Sequence, residues 1–162
     1  MVGTLKKEIR QTKPFKSLSQ EAFLNLQRTS DFLLRKAASE LKPYGITPPQ
    51  FNVLRILRGA GSKGLITREI GERMITAVPD VTRMLDRIEA LGLIYRERGL
   101  EDRRLVTVCI TDSGLKLLSD LDVVFKDFHK VLFEACSEQE ITELIGILEK
   151  VRSGKTSKAH RK

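Results

Sequence analysis

The feature that most restricts the fold is a closely spaced series of helix start and stop signals between residues 47 and 92. The sequence TPPQ, which begins at Thr47, combines a capping residue, prolines suited to a first helical turn and a glutamine that completes a capping box. Apolar residues surround much of the segment that follows, which predicts a short central helix ending at Gly59. A single strand at Leu65-Ile66 and a second short helix, TREIGERM, are predicted next, with Thr67 as the helix cap.

A third helix is predicted to begin at Pro79 and to end near Leu91, because Gly92 supplies a C-terminal stop. Its apolar residues recur at helical spacing and predict one buried stripe, formed by Val81, Met84, Leu85, Ile88 and Leu91. Its polar residues are left to face outward, and they are Asp80, Thr82, Arg83, Asp86 and Arg87. Considered alone, this polar face favours a solvated surface over a binding surface.

Two β-type segments, LIYRER and RLVTVCI, follow this helix and predict a hairpin whose turn lies at residues 99–102. Seven of the nine residues from Arg96 to Arg104 are charged. A solvated turn needs only Gly, Asn or Asp, whereas a carboxylate beside an arginine can hold the guanidinium in one orientation and reduce the entropy lost on binding. The pattern therefore predicts a hairpin that presents its arginines to DNA, namely Arg96, Arg98, Arg103 and Arg104.

Longer helices are predicted on both sides of this central region. One runs from about Ser19 to Lys42 with a single apolar stripe. Another begins at Thr111 or Ser113 and continues to about Cys136. A last helix follows a capping box that begins with Ser137.

Composition restricts the classes of function. The 162 residues carry a formal net charge of +8, which favours an acidic partner such as nucleic acid or a membrane surface. No apolar run approaches the ~20 residues that span a bilayer, and the N-terminal residues lack the apolar region of a secretion signal. The expected compartment is therefore the cytoplasm, and no membrane partner is expected.

The chain lacks the patterns of the common catalytic and cofactor sites. There is no HExxH, no GxSxG and no Ser/His or Cys/His arrangement. We therefore expect that the protein is not an enzyme and that it binds no metal ion. The run GAGSKG matches GxGxxG, but it follows a capped helix where a dinucleotide site needs a strand, so we interpret it as a turn without a cofactor. Cys109 and Cys136 are interpreted as packing residues.

The order of these elements is that of a winged helix-turn-helix, in which the second helix of the motif enters the major groove and the hairpin follows the backbone or the minor groove. The predicted fold is mainly α with a small β wing. Arginine can bind guanine O6 and N7 or a phosphate, and threonine can contact a thymine methyl or a phosphate. Thr82, Arg83 and Arg87 are the residues of the third helix that suit this task.

The segments ITPPQFNVLRIL, TREIGERM, VTRMLDRIEALGLIYR, EDRRLVTVCIT and TDSGLKLL resemble the MarR family of bacterial transcriptional regulators. The resemblance covers residues 19–151, and VTRMLDRIEALGLI and EDRR are its most specific parts. It implies a homodimer of winged helix-turn-helix subunits, each reading half of a palindromic operator in double-stranded DNA. In many members, a small aromatic or phenolic effector releases the DNA.

The resemblance also assigns residues. Val81-Thr82-Arg83 matches the recognition-helix motif, and Asp102-Arg103-Arg104 matches the Asp-x-Arg motif of the wing, with Arg104 in the minor groove and Asp102 orienting it. Gly99-Leu100 stands where the family often has Asp-Pro, and Pro79-Asp80 where it often has small hydroxyl residues. The predicted DNA-binding residues are Thr67, Arg68, Thr76, Asp80, Thr82, Arg83, Arg87, Arg98, Asp102, Arg103 and Arg104.

The predicted organisation is a flexible basic arm at residues 1–16, one domain at 17–152 and a flexible basic tail at 153–162. Within the domain, the winged helix-turn-helix covers about 46–111 and dimerisation helices cover about 17–43 and 112–152. An effector site is predicted between these regions, lined by Phe23, Tyr44, Phe51, Arg55 and Arg58. Two alternatives stay open: a protein-interaction module without DNA binding, and activation instead of repression.

Overall fold

The computed structural model describes residues 4–98 and 106–154. Its elements are α1 (Leu5–Glu8), α2 (Leu18–Leu41), α3 (Pro48–Ala60), β1 (Leu65–Ile66), α4 (Thr67–Arg73), α5 (Val81–Ala90), β2 (Ile94–Arg98), β3 (Val106–Ile110), α6 (Asp112–Leu132) and α7 (Glu138–Ser153). The prediction of a mainly helical fold with a small β wing is confirmed. Within these described ranges, no helix is both long and apolar enough to cross a membrane.

The sheet has three antiparallel strands in the order β1-β3-β2. In the hairpin, Ile94 is opposite Ile110 and Arg98 is opposite Val106, while Leu65 of β1 is opposite Val108. The hairpin and the single short strand before α4 are both as predicted. Because side chains alternate along a strand, Ile94, Arg96 and Arg98 share one face of β2, and Tyr95 and Glu97 share the other.

The chain divides into two compact units, Met1–Ser119 and Asp120–Lys162. In the first unit, α3 lies at the centre and contacts α2, α4, α5 and β3. Its side chains Val53, Leu54 and Leu57 are completely buried. The predicted capping box at its start is present, since the backbone N–H of Thr47 donates to Oε1 of Gln50 at 2.8 Å. The prediction that this helix is central is confirmed.

The tight turn after α3 brings backbone close to β3. Gly64 has a φ of +59°, and a Cβ added there would lie 2.5 Å from the carbonyl oxygen of Val108 and 2.5 Å from Sγ of Cys109. Any larger residue would therefore meet both backbone strain and a steric clash. The prediction that GAGSKG forms a turn is right, and its last glycine allows β3 to pack against that turn.

Several element boundaries differ from those predicted. Thr67 is the first residue of α4 and not its cap, because β1 runs directly into the helix; the N–H of Ile66 donates instead to a carboxylate oxygen of Glu69 at 3.2 Å. Of the two candidate caps for α6, Thr111 is the one that accepts a backbone hydrogen bond, from Gly114 at 3.1 Å. That helix ends at Leu132 and not near Cys136, because residues 133–136 form a turn.

The N-terminal residues contain an element that the sequence did not predict. Residues Leu5–Glu8 form the one-turn helix α1, and Leu5 is only 2% exposed. A carboxylate oxygen of Glu8 lies 3.9 Å from Nε of Arg28 on α2. An apolar side chain and an ion pair therefore hold this part of the basic segment in place.

The second unit contains most of α6 and all of α7. The predicted capping box before α7 is present: the N–H and the hydroxyl of Ser137 both donate to Oε2 of Glu140 at 2.8 Å. These hydrogen bonds lower the pKa of Glu140. In α6, the rings of Phe125, Phe128 and His129 lie 5.2–5.8 Å apart in edge-on and tilted contacts.

Candidate nucleic-acid interface

The face of α5 that points away from the core is polar. Met84, Leu85 and Ile88 are buried, whereas Thr82, Arg83 and Arg87 are exposed, as the sequence predicted. Leu91 was placed in the buried stripe, but it is 51% exposed because the helix ends at Ala90 and the chain turns there. Arg83 and Arg87 are four residues apart and so lie on the same side of the helix, one turn from each other.

The first turn of α5 is held by Asp80. The helix begins at Val81 and not at Pro79, because Asp80 adopts a non-helical conformation and acts as the N-cap. Its Oδ1 accepts a hydrogen bond from the backbone N–H of Arg83 at 2.8 Å. This bond gives the predicted DNA-binding residue Asp80 a structural role, and it places a carboxylate at the N-terminal end of the helix.

The turn between α4 and α5 is attached to α3 through one side-chain amide. Oδ1 of Asn52 accepts from the backbone N–H of Ile75 at 2.9 Å. Thr76, the next residue, is exposed in this turn. The sequence alone does not identify Asn52, because α3 also carries Gln50, Arg55 and Arg58 and no local signal separates Asn52 from them.

The two predicted DNA-binding residues of α4 differ in their exposure to solvent. Thr67 is half-buried in the first turn, and Arg68 is exposed. Nε of Arg68 donates to a carboxylate oxygen of Glu72 at 2.8 Å. That hydrogen bond, followed by the charge of Glu72, raises the pKa of Arg68, which keeps its charge at any physiological pH.

The hairpin arginines do not all face outward. Arg96 binds two carboxylates of α5: Nη2 lies 2.7 Å from Oδ1 of Asp86, and Nη1 bonds to Oε2 of Glu89. Its side chain is 25% exposed. The prediction that Arg96 is presented to DNA is therefore wrong for this structure, because two acids on one side of α5 hold it. Asp86 keeps its predicted outward position, because its side chain is 57% exposed while it pairs with Arg96.

Arg98 ends β2 and is exposed, on the strand face that also carries Arg96. The remaining wing predictions lie outside the described residues, and they concern Gly99, Leu100, Asp102, Arg103 and Arg104.

A cleft of about 380 Å³ lies between the first turn of α3 and α5. Arg83 and Arg87 both line it, together with Thr47, Pro49, Gln50, Val78, Pro79, Asp80 and Met84. Two guanidinium groups at one concave surface favour an anionic partner.

The five residues predicted to line an effector site do not line this cleft. Phe51 is buried, at 8% exposure, while Phe23 and Tyr44 are 57% and 37% exposed. The guanidinium of Arg55 lies 5.8 Å from the ring centroid of Phe51, within reach of a cation–π contact. Arg58 is half-buried on the same helix.

Among the described residues, no group of three His, Cys, Asp or Glu side chains could hold a metal ion. Cys109 is buried in β3, as predicted for a packing residue. Cys136 is exposed in the turn before α7, so the packing interpretation is wrong for this cysteine.

The architecture agrees with that of known proteins. The MarR family model matches residues 46–106. The crystal structure of a MarR transcription factor from Planctomyces limnophilus is 38% identical, with a TM-score of 0.65, and the match covers 84% of this chain and 98% of that protein. The chain belongs to the MarR family. Its matched region contains α3, α4, α5 and β2 in the order that defines a winged helix-turn-helix.

Other known proteins are similar to this chain over most of its length. The HTH-type transcriptional regulator MhqR of Bacillus subtilis is 27% identical over 136 residues, which are 82% of this chain and 90% of that protein. The crystal structure of an S. aureus MepR–DNA complex is 27% identical with a TM-score of 0.73, and the match covers 82% of this chain and 96% of that protein. This MarR-family chain is therefore a DNA-binding transcriptional regulator and not an enzyme.

Replacing the N-cap of α5 separates its structural role from its charge. Asp80→Ala removes the hydrogen bond to Arg83 and should lower the free energy of unfolding by about 1 kcal/mol. Asp80→Asn keeps an acceptor of equal capping quality and should leave stability within about 0.5 kcal/mol of the wild type. Urea denaturation followed by circular dichroism measures both values. An equal loss of stability in the two variants would contradict the capping role.

Proposed function

We propose that this MarR-family chain is a repressor that binds a palindromic operator in double-stranded DNA as a homodimer. The observation that carries the proposal is the exposed polar face of α5, where Arg83 and Arg87 lie one helical turn apart beside the hairpin. Repression follows where such an operator overlaps a promoter, because a bound dimer then excludes the polymerase.

The dimensions of α5 suit the major groove. Its 10 residues span about 15 Å, and an α-helix fits the ~12 Å width of the groove. In our proposal, Arg83 and Thr82 read base edges from the first turn, and Arg87 binds a base or a phosphate one turn later. Arg68, Thr67 and Thr76 would contact the backbone from α4 and the following turn. Arg98 and the predicted wing residues Asp102, Arg103 and Arg104 would follow the neighbouring minor groove.

Two arginine variants test whether α5 determines the sequence preference and the wing contributes affinity for all sequences. Arg83→Ala should change the preference among operator variants by about 5- to 150-fold at one base pair and change non-specific binding much less. Arg104→Ala should weaken binding to all sequences and make the dependence of log K on log salt shallower by about one unit. Fluorescence anisotropy at several salt concentrations measures both, on an operator first isolated from genomic fragments.

Lys13→Ala is the matched control, because it removes an equal charge from an exposed position outside the segments assigned to dimerisation and to DNA reading. Unchanged binding by Arg104→Ala at every salt concentration would remove the wing from the proposal. Failure of the wild type to bind any genomic fragment would leave the alternative, a winged helix that binds protein.

Exposed apolar side chains on the outer helices support the homodimer. On α2, Phe23 and Leu34 are 57% and 45% exposed, and on α7, Ile145 and Val151 are 52% and 59% exposed. Exposed apolar surface of this extent marks a contact with another chain. We therefore assign dimerisation to residues 17–43 and 112–152 and DNA reading to residues 46–111, with half-sites ~34–36 Å apart.

A charge introduced into the apolar stripe of α7 tests the dimer. Leu144 is 40% exposed, and Leu144→Lys should convert the dimer into monomer at micromolar concentration, because an ammonium would be buried in the interface. Sedimentation velocity measures the change, and circular dichroism checks that the variant folds. Gln139→Lys introduces the same charge on the opposite side of the helix and should stay dimeric. A monomeric wild type would contradict the assignment.

We further propose that a small aromatic anion weakens DNA binding. Phe23 and Tyr44 supply exposed aromatic surface, and Arg55 supplies a cation beside the ring of Phe51. A ligand that prefers the DNA-free dimer by ~1–3 kcal/mol lowers DNA affinity roughly 5- to 150-fold.

Displacement of operator DNA by salicylate, followed by anisotropy, tests this release. Arg55→Ala should weaken the response to salicylate, while DNA affinity without salicylate stays unchanged. No displacement by salicylate-like anions at millimolar concentration would exclude this mode of regulation.

A further inference from the structure

We propose that Arg96 is a positioning residue for DNA recognition. It fixes β2, the first strand of the hairpin, to the proposed recognition helix α5, so that α5 and the hairpin contact DNA as one rigid unit. This inference rests on the proposed function, because it concerns how the same surface discriminates among DNA sequences. Neither the reading of bases by Arg83 nor the minor-groove role of the wing requires it.

The contact has two points of attachment. Two different nitrogens of the Arg96 guanidinium bind two different carboxylates, those of Asp86 and Glu89. These acids are three residues apart, so they lie on the same side of α5, separated by nearly one turn. A single ion pair would let the strand pivot about it, whereas a planar guanidinium held at two nitrogens restrains both rotation and translation.

The contact lies where it affects the DNA-reading part of the hairpin. Ile94, Arg96 and Arg98 share one face of β2. Ile94 is buried at the start of the strand and Arg98 is exposed at its end, and Arg96 between them joins this face of the strand to α5. Arg96 therefore fixes, relative to α5, the face of β2 on which the exposed Arg98 lies.

Stability alone does not explain this arrangement. The side chains of Asp86 and Glu89 are 57% and 36% exposed, and exposed ion pairs contribute only about 0–1 kcal/mol to folding. Buried Leu85, Ile88 and Ile94 supply the apolar contacts of this region. What the ion pairs add is a defined orientation, and the one positive charge of Arg96 also offsets one of the two negative charges that would otherwise repel phosphates.

Two variants distinguish an effect of the charge of Arg96 from an effect of its contacts with α5. Arg96→Met removes a positive charge and both ion pairs, while the paired change Asp86→Ala with Glu89→Ala removes two negative charges and both carboxylates that hold Arg96. If charge alone mattered, the first variant would weaken DNA binding and the second would strengthen it. If Arg96 positions the hairpin, both variants lose the same part of the sequence discrimination.

The measurement uses the full-length protein and three DNA duplexes: the operator, the operator with its wing-contacted flanks changed from A·T to G·C, and the operator with one major-groove base pair changed. We expect the wild type to discriminate against each altered duplex by about tenfold, the usual effect of a mismatch. In both variants, discrimination against the altered flanks should fall to about twofold, and discrimination at the major-groove base pair should stay near tenfold. Arg96→Lys should restore part of the flank discrimination, because an ammonium can still bind one carboxylate.

Glu97→Gln is the matched control, since it changes a charge on the opposite face of the same strand and should behave like the wild type. Circular dichroism shows whether Arg96→Met folds; should it not, the paired alanine variant carries the test alone. Full flank discrimination in the paired variant would overturn the proposal. So would a shallower salt dependence of Arg96→Met with its flank discrimination retained, since Arg96 would then bind phosphate itself. A wild type that binds none of the duplexes would contradict the proposed function instead.

Discussion

The burial of α3 is the interaction on which the DNA-facing part of the molecule depends. Val53, Leu54 and Leu57 are completely buried, and α3 contacts α2, α4, α5 and β3. Helices of 7 and 10 residues, such as α4 and α5, are marginal in water by themselves. They are stable because their apolar sides cover α3, and the side of α5 that meets this core determines which side is left facing solvent.

Polar contacts at the ends of elements then determine the finer geometry. Asp80 holds the first turn of α5, and Asn52 holds the turn before it. Thr111 donates to the carbonyl oxygen of Gly92 at 2.8 Å and accepts from Gly114, which joins the end of the α5 turn to the start of α6. Each of these bonds contributes only about 1 kcal/mol, but each has a direction, which apolar packing lacks.

Prediction from the sequence succeeded where the signal is local. The capping residues Thr47 with Gln50 and Ser137 with Glu140 are close in the chain, so their hydrogen bonds could be inferred from spacing. The predicted start of a helix was wrong by one or two residues where two start signals compete. Pro79 and Asp80 both suit the start of α5, and only the path of the chain into the helix decides between them. Prediction also failed for Cys136, whose apolar surroundings in the sequence form an exposed turn.

The sequence by itself determined the class of fold, the family and the residues of α5 that face solvent, because helical periodicity and capping depend on neighbours three or four positions away. Only the tertiary structure decided the roles of two arginines that look alike in the run RERG. Arg96 is held by Asp86 and Glu89, and Arg98 is exposed at the strand end. The partners of Arg96 are seven and ten residues away, across a turn whose path depends on how α5 and β2 pack. Which charges meet across such a turn is decided by packing and not by their order in the chain.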